Sequence, residues 1–259
     1  MERKIIFIGL MVFVLYACSD EVKVENMSGF YPMNIGTTWN YESTSYITTY
    51  DSTGKFQQLS HTIEPQTTVV TKDTAVNGIV LRQFVTTIMA LSGPVYEAFY
   101  YRQDIDGLKE YGYSDYGGTW TDTEIIDSTS QSKKQSFIQR FKAKATFSNN
   151  VFLYPLPLLE LSYPLTVNSE WCCYPNVTNG ASKHVVENDT LQIDGKAYPC
   201  FKIETIEPKE YEYYYEWISN AGLLKTESQS VMQDWVTGDK SYGQYREHII
   251  TIVKSLQLK

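Results

Sequence analysis

The chain has 259 residues, a net charge of −8 and a sequence pI near 5.0, which argues against nucleic acid as a partner because neutralising phosphates needs a basic face. Tyrosine is abundant, at 21 residues, and together with the many Thr and Ser it favours pleated, half-buried strands. No polybasic stretch offers itself to anionic lipid.

At the amino end, Arg3 and Lys4 precede an unbroken small and apolar run from Ile5 to Ala17. The run is too short to cross a bilayer as a helix, and it reads as a secretory signal. It ends in Leu15-Tyr16-Ala17-Cys18, which resembles the lipobox of bacterial lipoproteins, although Tyr16 is bulkier than the usual residue there. An ordinary cleavage site with a chance cysteine is the alternative. The resemblance implies a lipoprotein signal peptide over 1–17, cleavage that leaves 242 of the 259 residues, and acylation of Cys18 with palmitate-like chains. Several acyl chains, at roughly 0.8 kcal/mol per buried methylene, hold a protein on a membrane without spanning it. Residues 18–29, which contain "SDEVKVEN", form an acidic tether. They resemble the surface-export signal of lipoproteins in one large Gram-negative group of glycan degraders, and they would serve equally as a solvated tether on the periplasmic face. The expected location is therefore the cell envelope of a Gram-negative bacterium, as an outer membrane lipoprotein on either face.

About 240 residues suffice for one large all-β domain or two small ones, burying roughly 70 to 75% of the unfolded surface. Beyond the tether, three landmarks occur twice in the same order. "YPMNIGTTWNYE" at Tyr31 returns as "YPLTVNSEWCCYP" at Tyr163, with Tyr, Pro and Trp equally spaced. "VVTKDTAVNG" at Val69 returns as "VVENDTLQIDG" at Val185, and "YEAFYYRQDIDGLKE" at Tyr96 returns as "YEYYYEWISNAGLLKTE" at Tyr211. The separations are 132, 116 and 115 residues. Gly36 and Asn168 suit left-handed turns before strands that bury Trp39 and Trp171. Asn77-Gly78 and Asp194-Gly195 are hairpin-turn dipeptides.

The sequence thus predicts an all-β, mainly antiparallel fold of two tandem duplicated curved-sheet modules, residues 30–150 and 151–259. In the first, "FIQRFKAKATF" (137–147) alternates as a half-buried strand. Between the copies, the apolar stretch 151–164 carries Pro155, Pro157 and Pro164 and reads as an extended connector, since proline at that density argues against a central strand. In the second, Tyr211, Tyr213, Tyr215 and Trp217 share one face of a strand while Glu212, Tyr214 and Glu216 share the other. "REHIITIVKSLQL" at the carboxyl end is expected to close the last sheet.

These motifs resemble a broad set of bacterial secreted proteins and lipoproteins with the pattern YPLxxGxxWxY, then G-x-F, then GLxK. Here the matching stretches are Tyr31 to Tyr41, Tyr163 to Trp171, Gly195 to Phe201, Gly107 to Lys109 and Gly222 to Lys225. Asn168 stands where the pattern has Gly, and "ISNAGLLK" replaces a Pro-Gly-rich approach. Such proteins are similar to the LolA/LolB-like class, and this resemblance implies a strongly curved sheet forming an open half-barrel around an apolar cavity.

No G-x-S-x-G, P-loop, G-x-G-x-x-G or H-E-x-x-H occurs, so no catalytic residue and no cofactor is assigned, and no enzyme activity is expected. His61, His184 and His248 lie far apart in sequence and read as solvated surface residues. Cys172, Cys173, His184 and Cys200 have a poor spacing for zinc, and no metal site is assigned. Cys200 forms a disulfide with one of the pair or is a plain buried strand residue. Glu204, Glu207, Glu212 and Glu216 sit near aromatics, and a hydrolase would need two of them facing each other. Tyr211, Tyr213, Tyr215 and Trp217 fill a core, line a cavity or form a sugar-stacking platform. "DST" and "DT" turns at Ser52, Thr74, Ser128 and Thr190 resemble O-glycosylation acceptors of exported proteins. The reading that follows is a non-enzymatic envelope module for an apolar or amphipathic ligand such as a lipid, with a glycan-binding accessory lipoprotein as the alternative and a Glu-dependent hydrolase as the third.

Overall fold

The computed structural model describes residues 30–90, 93–116, 146–148, 151–173, 181–206, 211–237 and 240–259. Cys18 and the signal and tether segments lie outside these residues, as do Ser128, Glu207 and most of 137–147. Fourteen strands run through the described residues. The first seven are β1 Thr38–Tyr50, β2 Phe56–Val76, β3 Ile79–Ala90, β4 Gly93–Asp104, β5 Gly107–Tyr116, β6 Thr146–Ser148 and β7 Val151–Ser162. The rest are β8 Glu170–Cys172, β9 Ser182–Ile193, β10 Lys196–Ile206, β11 Tyr211–Ser219, β12 Gly222–Ser230, β13 Gln233–Thr237 and β14 Lys240–Gln257.

All pairings among them are antiparallel, and the chain is all-β, as period-two alternation predicts. They form one sheet in the order β6-β7-β5-β4-β3-β2-β1-β14-β12-β11-β10-β9-β8, with β13 hydrogen-bonded to β14 beside that path. A twisted sheet of this many strands curls. Its ends come together where the Leu159 backbone N–H of β7 donates to the carbonyl of Cys173, just past β8, at 3.1 Å, and where Trp171 Nε1 donates to the Leu159 carbonyl at 3.1 Å.

The written duplication is a structural one. Apart from β6 and β13, the order β7-β5-β4-β3-β2-β1 is repeated by β14-β12-β11-β10-β9-β8. Gly36 and Asn168 both have positive φ, 90° and 69°. Each donates its backbone N–H to the carbonyl of a fully buried valine, Val70 or Val185, at 2.8 and 2.9 Å. The same valines return their own N–H to Thr37 and Ser169, both at 2.9 Å.

This pairing corrects the second landmark by one residue. Val185 corresponds to Val70 rather than Val69, a separation of 115 that matches the third landmark. Thr71 and Val186, the residues just beyond, are both skipped in the ladders to the next strand. Asn77-Gly78 and Asp194-Gly195 adopt positive φ at both positions, the geometry that turns a hairpin without splaying its strands.

Two expectations need correction. The Pro-rich stretch 151–164 is not merely a connector: residues 151–162 are β7, paired with β5 and β6. Its prolines are tolerated because the ladder to β5 passes directly from Leu158, opposite Glu110, to Leu153, opposite Gly112, leaving Pro155 and Pro157 outside the pairing. The carboxyl-terminal strand does not close an edge either. β14 lies between β12 and β1 and joins the two halves, pairing along the whole of β1.

The core is assembled across the halves. One cluster places Trp39, Val70 and Phe84 against Ile193, Cys200, Trp217 and Leu224, and a second places Phe30 and Leu108 against Trp171, Val185, Phe201 and Ile203. Trp39 is fully buried, and its Nε1 donates to the Ala221 carbonyl of the distant β11–β12 turn at 2.6 Å. Gln103 ties the two Tyr-Pro phrases together. Its Oε1 accepts from the Tyr31 backbone N–H at 3.0 Å and from the Tyr163 hydroxyl at 2.8 Å.

Candidate functional site

Directly opposed residues of antiparallel neighbours point to the same face of a sheet, so the registers fix which side chains share a surface. One row runs Tyr213–Gln229–His248–Tyr46–His61, across β11, β12, β14, β1 and β2. The row beside it runs His184–Glu204–Tyr215–Glu227, and a third runs Lys202–Trp217–Lys225. All three histidines, far apart in sequence, therefore lie on one face.

Rings touch in sequence along it. Tyr215 meets Trp217 edge-on at 6.2 Å and stacks with Tyr213 at 5.4 Å. Tyr213 meets His248 at 6.3 Å, His248 stacks on Tyr46 at 5.9 Å, and Tyr46 lies 6.2 Å from His61. Tyr213, Tyr215 and His248 are half-buried, while Tyr46 and His61 are exposed.

Charged groups are interleaved with the rings. Lys202 Nζ sits 4.4 Å from the Tyr215 ring centre, and Lys225 Nζ sits 4.2 Å from that of Trp217. Lys225 also pairs with Glu227 at 2.7 Å, and the other carboxylate oxygen of Glu227 is 3.2 Å from His248 Nε2. Burial would raise the Glu227 pKa, but the hydrogen bond and charge of Lys225, with His248, bring it below its ordinary value. Burial raises the Tyr213 and Tyr215 phenols, helped by Glu227 and Glu212 for the first and by Glu204 for the second. Glu204 Oε2 lies 3.4 Å from His184 Nε2.

The strand face predicted for Tyr211, Tyr213, Tyr215 and Trp217 holds for three of the four. A bulge between Tyr211 and Tyr213 turns Tyr211 to the other side, where its ring meets Tyr214 at 5.6 Å. The bulged Glu212 pairs with Arg246 at 2.6 Å. Trp217 is a core residue, 5% exposed, with Nε1 donating to Asp189 Oδ2 at 2.7 Å. The accessible part of the row is Tyr213, Tyr215, His248, Tyr46 and His61. Sequence reasoning missed Tyr46 and the clustering of the histidines, because these residues sit on strands whose register only long-range pairing sets.

Glu216 points away from that face into a buried charge cluster at the seam. Lys183 Nζ donates to Glu216 Oε2 at 2.6 Å and to Glu160 Oε2 of β7 at 2.9 Å. Burial alone would lower the Lys183 pKa, but Glu160 and Glu216 outweigh it and hold it well above its ordinary value.

Cys172, Cys173 and Cys200 are free thiols, so of the two readings of Cys200 the structure has the plain buried strand residue rather than the disulfide. Cys200 is packed in the first core cluster, and Cys173 lies near the Lys183 cluster. Burial pushes both thiols up to about 12. Among the described residues, no group of three His, Cys, Asp or Glu side chains is placed to hold a metal ion. Of the glycosylation candidates, Ser52 is exposed in the β1–β2 turn and Thr190 is exposed on β9. The Thr74 hydroxyl oxygen on β2 is buried without a hydrogen-bond partner.

No family model matches the chain, and no curated protein matches it. Two solved structures are similar over most of its length. One, named as a lipoprotein, comes from Parabacteroides distasonis, with 14% identity, 90% of this chain and 100% of that chain covered, and a TM-score of 0.30. The other, named as an exported protein with a YmcC-like fold, comes from Bacteroides fragilis, with 14% identity, 89% and 100% covered, and a TM-score of 0.32. At this distance no residue role transfers from either.

Proposed function

We propose that the chain is a lipid-anchored envelope protein, held through Cys18 after removal of residues 1–17, that binds a glycan on the face carrying Tyr213, Tyr215 and Tyr46. The observation that carries this reading is the continuous row of accessible rings with ion-paired lysines and glutamates set among them. A sugar offers an apolar ring face to an aromatic side chain and hydroxyls to charged groups, which make the stronger hydrogen bonds. An apolar ligand laid on the same surface would strip water from Lys225, Glu227 and His248 without replacing its hydrogen bonds. That physical argument favours the glycan over the apolar ligand.

Affinity electrophoresis through gels containing a panel of polysaccharides tests it. The expected result is retardation in at least one gel, lost in Tyr215→Ala and weakened in Tyr46→Ala. Trp217→Ala is the wrong probe, since it empties a core position. Free migration in every gel, or retardation that both tyrosine variants keep, overturns the glycan reading. Anchoring is tested separately by feeding labelled palmitate to cells expressing the chain, where Cys18→Ala must abolish incorporation.

A further inference from the structure

β2 runs well beyond its partner on one side. It pairs with β1 from Phe56 to Val69, whereas its ladder to β3 begins only at Gln66. Over residues 57–65 its outer edge has no strand beside it among the described residues. The direction of the free groups follows from Val70, whose N–H and C=O both turn toward the β1 side. Because these directions alternate along a strand, the even-numbered residues down to Gln58 also face β1, and Leu59, His61 and Ile63 face outward, while the ladder to β1 skips Gln57 at a register shift that ends the regular alternation. Leu59 and Ile63 are 57% and 53% exposed.

Natural edges are guarded by lysine, inward charge, proline or bulges. This edge carries no lysine or arginine, its first proline is Pro65 at the far end, and Glu64 is its one acidic residue. In a protein of net charge −8, such a stretch is the place where a like-charged copy can approach.

We propose that this edge pairs with the same edge of a second copy, antiparallel about a two-fold axis through His61. In that register Leu59 lies opposite Ile63 of the partner subunit, apolar against apolar on the face shared with Tyr46. Glu64 lies opposite Gln58 of the partner subunit, so no like charges oppose each other. His61 and the two Leu59–Ile63 pairs exchange both backbone hydrogen bonds. Pro65, which has no N–H to offer, ends the paired stretch. An interface of this kind is self-complementary, and it joins the two ring rows end to end at His61. It does not depend on the glycan reading.

The test is the mass of the full chain in detergent micelles by sedimentation equilibrium, corrected for detergent, between 1 and roughly 100 µM, about the range where a modest interface saturates. Wild type is expected to reach twice the monomer mass. Leu59→Pro removes an outward N–H without touching the β1 ladder, and Ile63→Lys places a charge on the edge. Each is expected to halve the mass while the circular dichroism spectrum stays that of wild type. A monomeric wild type overturns the proposal, and so does a dimer that persists in both variants.

Discussion

Gly222→Ala measures how tightly the two halves are locked. Gly222 has φ of 98°, and an added methyl would lie 2.9 Å from both Cζ2 and Nε1 of Trp39. The ring cannot retreat freely, since it is fully buried and its Nε1 is committed to the neighbouring Ala221 carbonyl. Two costs therefore add. The left-handed backbone costs an L-residue about 1–2 kcal/mol, and overpacking a close-packed core costs about 1–3 kcal/mol, for a total of roughly 2–5 kcal/mol. Gly195→Ala supplies the control, because its φ is 73° but a methyl there meets nothing within 4 Å. Only the first cost applies, about 1–2 kcal/mol. Urea denaturation followed by tryptophan fluorescence reads both variants on one scale. Since each kcal/mol moves Tm by about 2–4 °C at this size, Gly222→Ala should melt roughly 2–12 °C below Gly195→Ala. Equal destabilisation of the two would refute the claim that Trp39 wedges the β11–β12 turn.

Lys183→Met leaves Glu160 and Glu216 facing each other without their shared ammonium, and breaking a buried pair in this way costs about 3–5 kcal/mol, measurable by the same denaturation. The Glu227 pKa is depressed in the folded state, so its contribution is present above the ordinary carboxylate range and is lost as pH falls through the folded value. The urea midpoint of wild type should therefore drop more steeply on acidification than that of Glu227→Gln, and parallel curves would contradict this. With Cys173 and Cys200 pushed up to about 12 and Cys172 exposed, brief iodoacetamide treatment at pH 8 should label Cys172 alone of the three, as read by peptide mass spectrometry. Equal labelling of all three would show that the core clusters are open.

Much of the fold is legible in the residues because a strand's pattern is local. Alternation over Tyr213–Trp217, positive-φ residues at Asn77-Gly78 and Asp194-Gly195, and Gly36 and Asn168 ahead of Trp39 and Trp171 are written into neighbouring positions. Bulges are not so written. Tyr211 leaves its expected face because one extra residue, Glu212, intervenes, and nothing in "YEYYYEW" marks that residue as unpaired. The prolines of 151–164 misled for the opposite reason, since a proline is excluded only where the ladder needs its N–H, and the ladder skips Pro155 and Pro157. The ring row was half visible: Tyr213 and Tyr215 belong to one strand, but His248, Tyr46 and His61 each come from another.

What the sequence determined by itself is the strand content, the duplication and the burial of Trp39 and Trp171, because side-chain period and turn conformation depend on residues a few positions apart. What only the tertiary structure decided is how the copies join. β14 crosses to β1 over the 189 residues between Tyr50 and Lys240, and Trp39 and Trp171 each donate to a backbone carbonyl across the join, those of Ala221 and Leu159. Those pairings are selected by burial against distant partners, a free energy that belongs to the assembled sheet and to no short stretch of it.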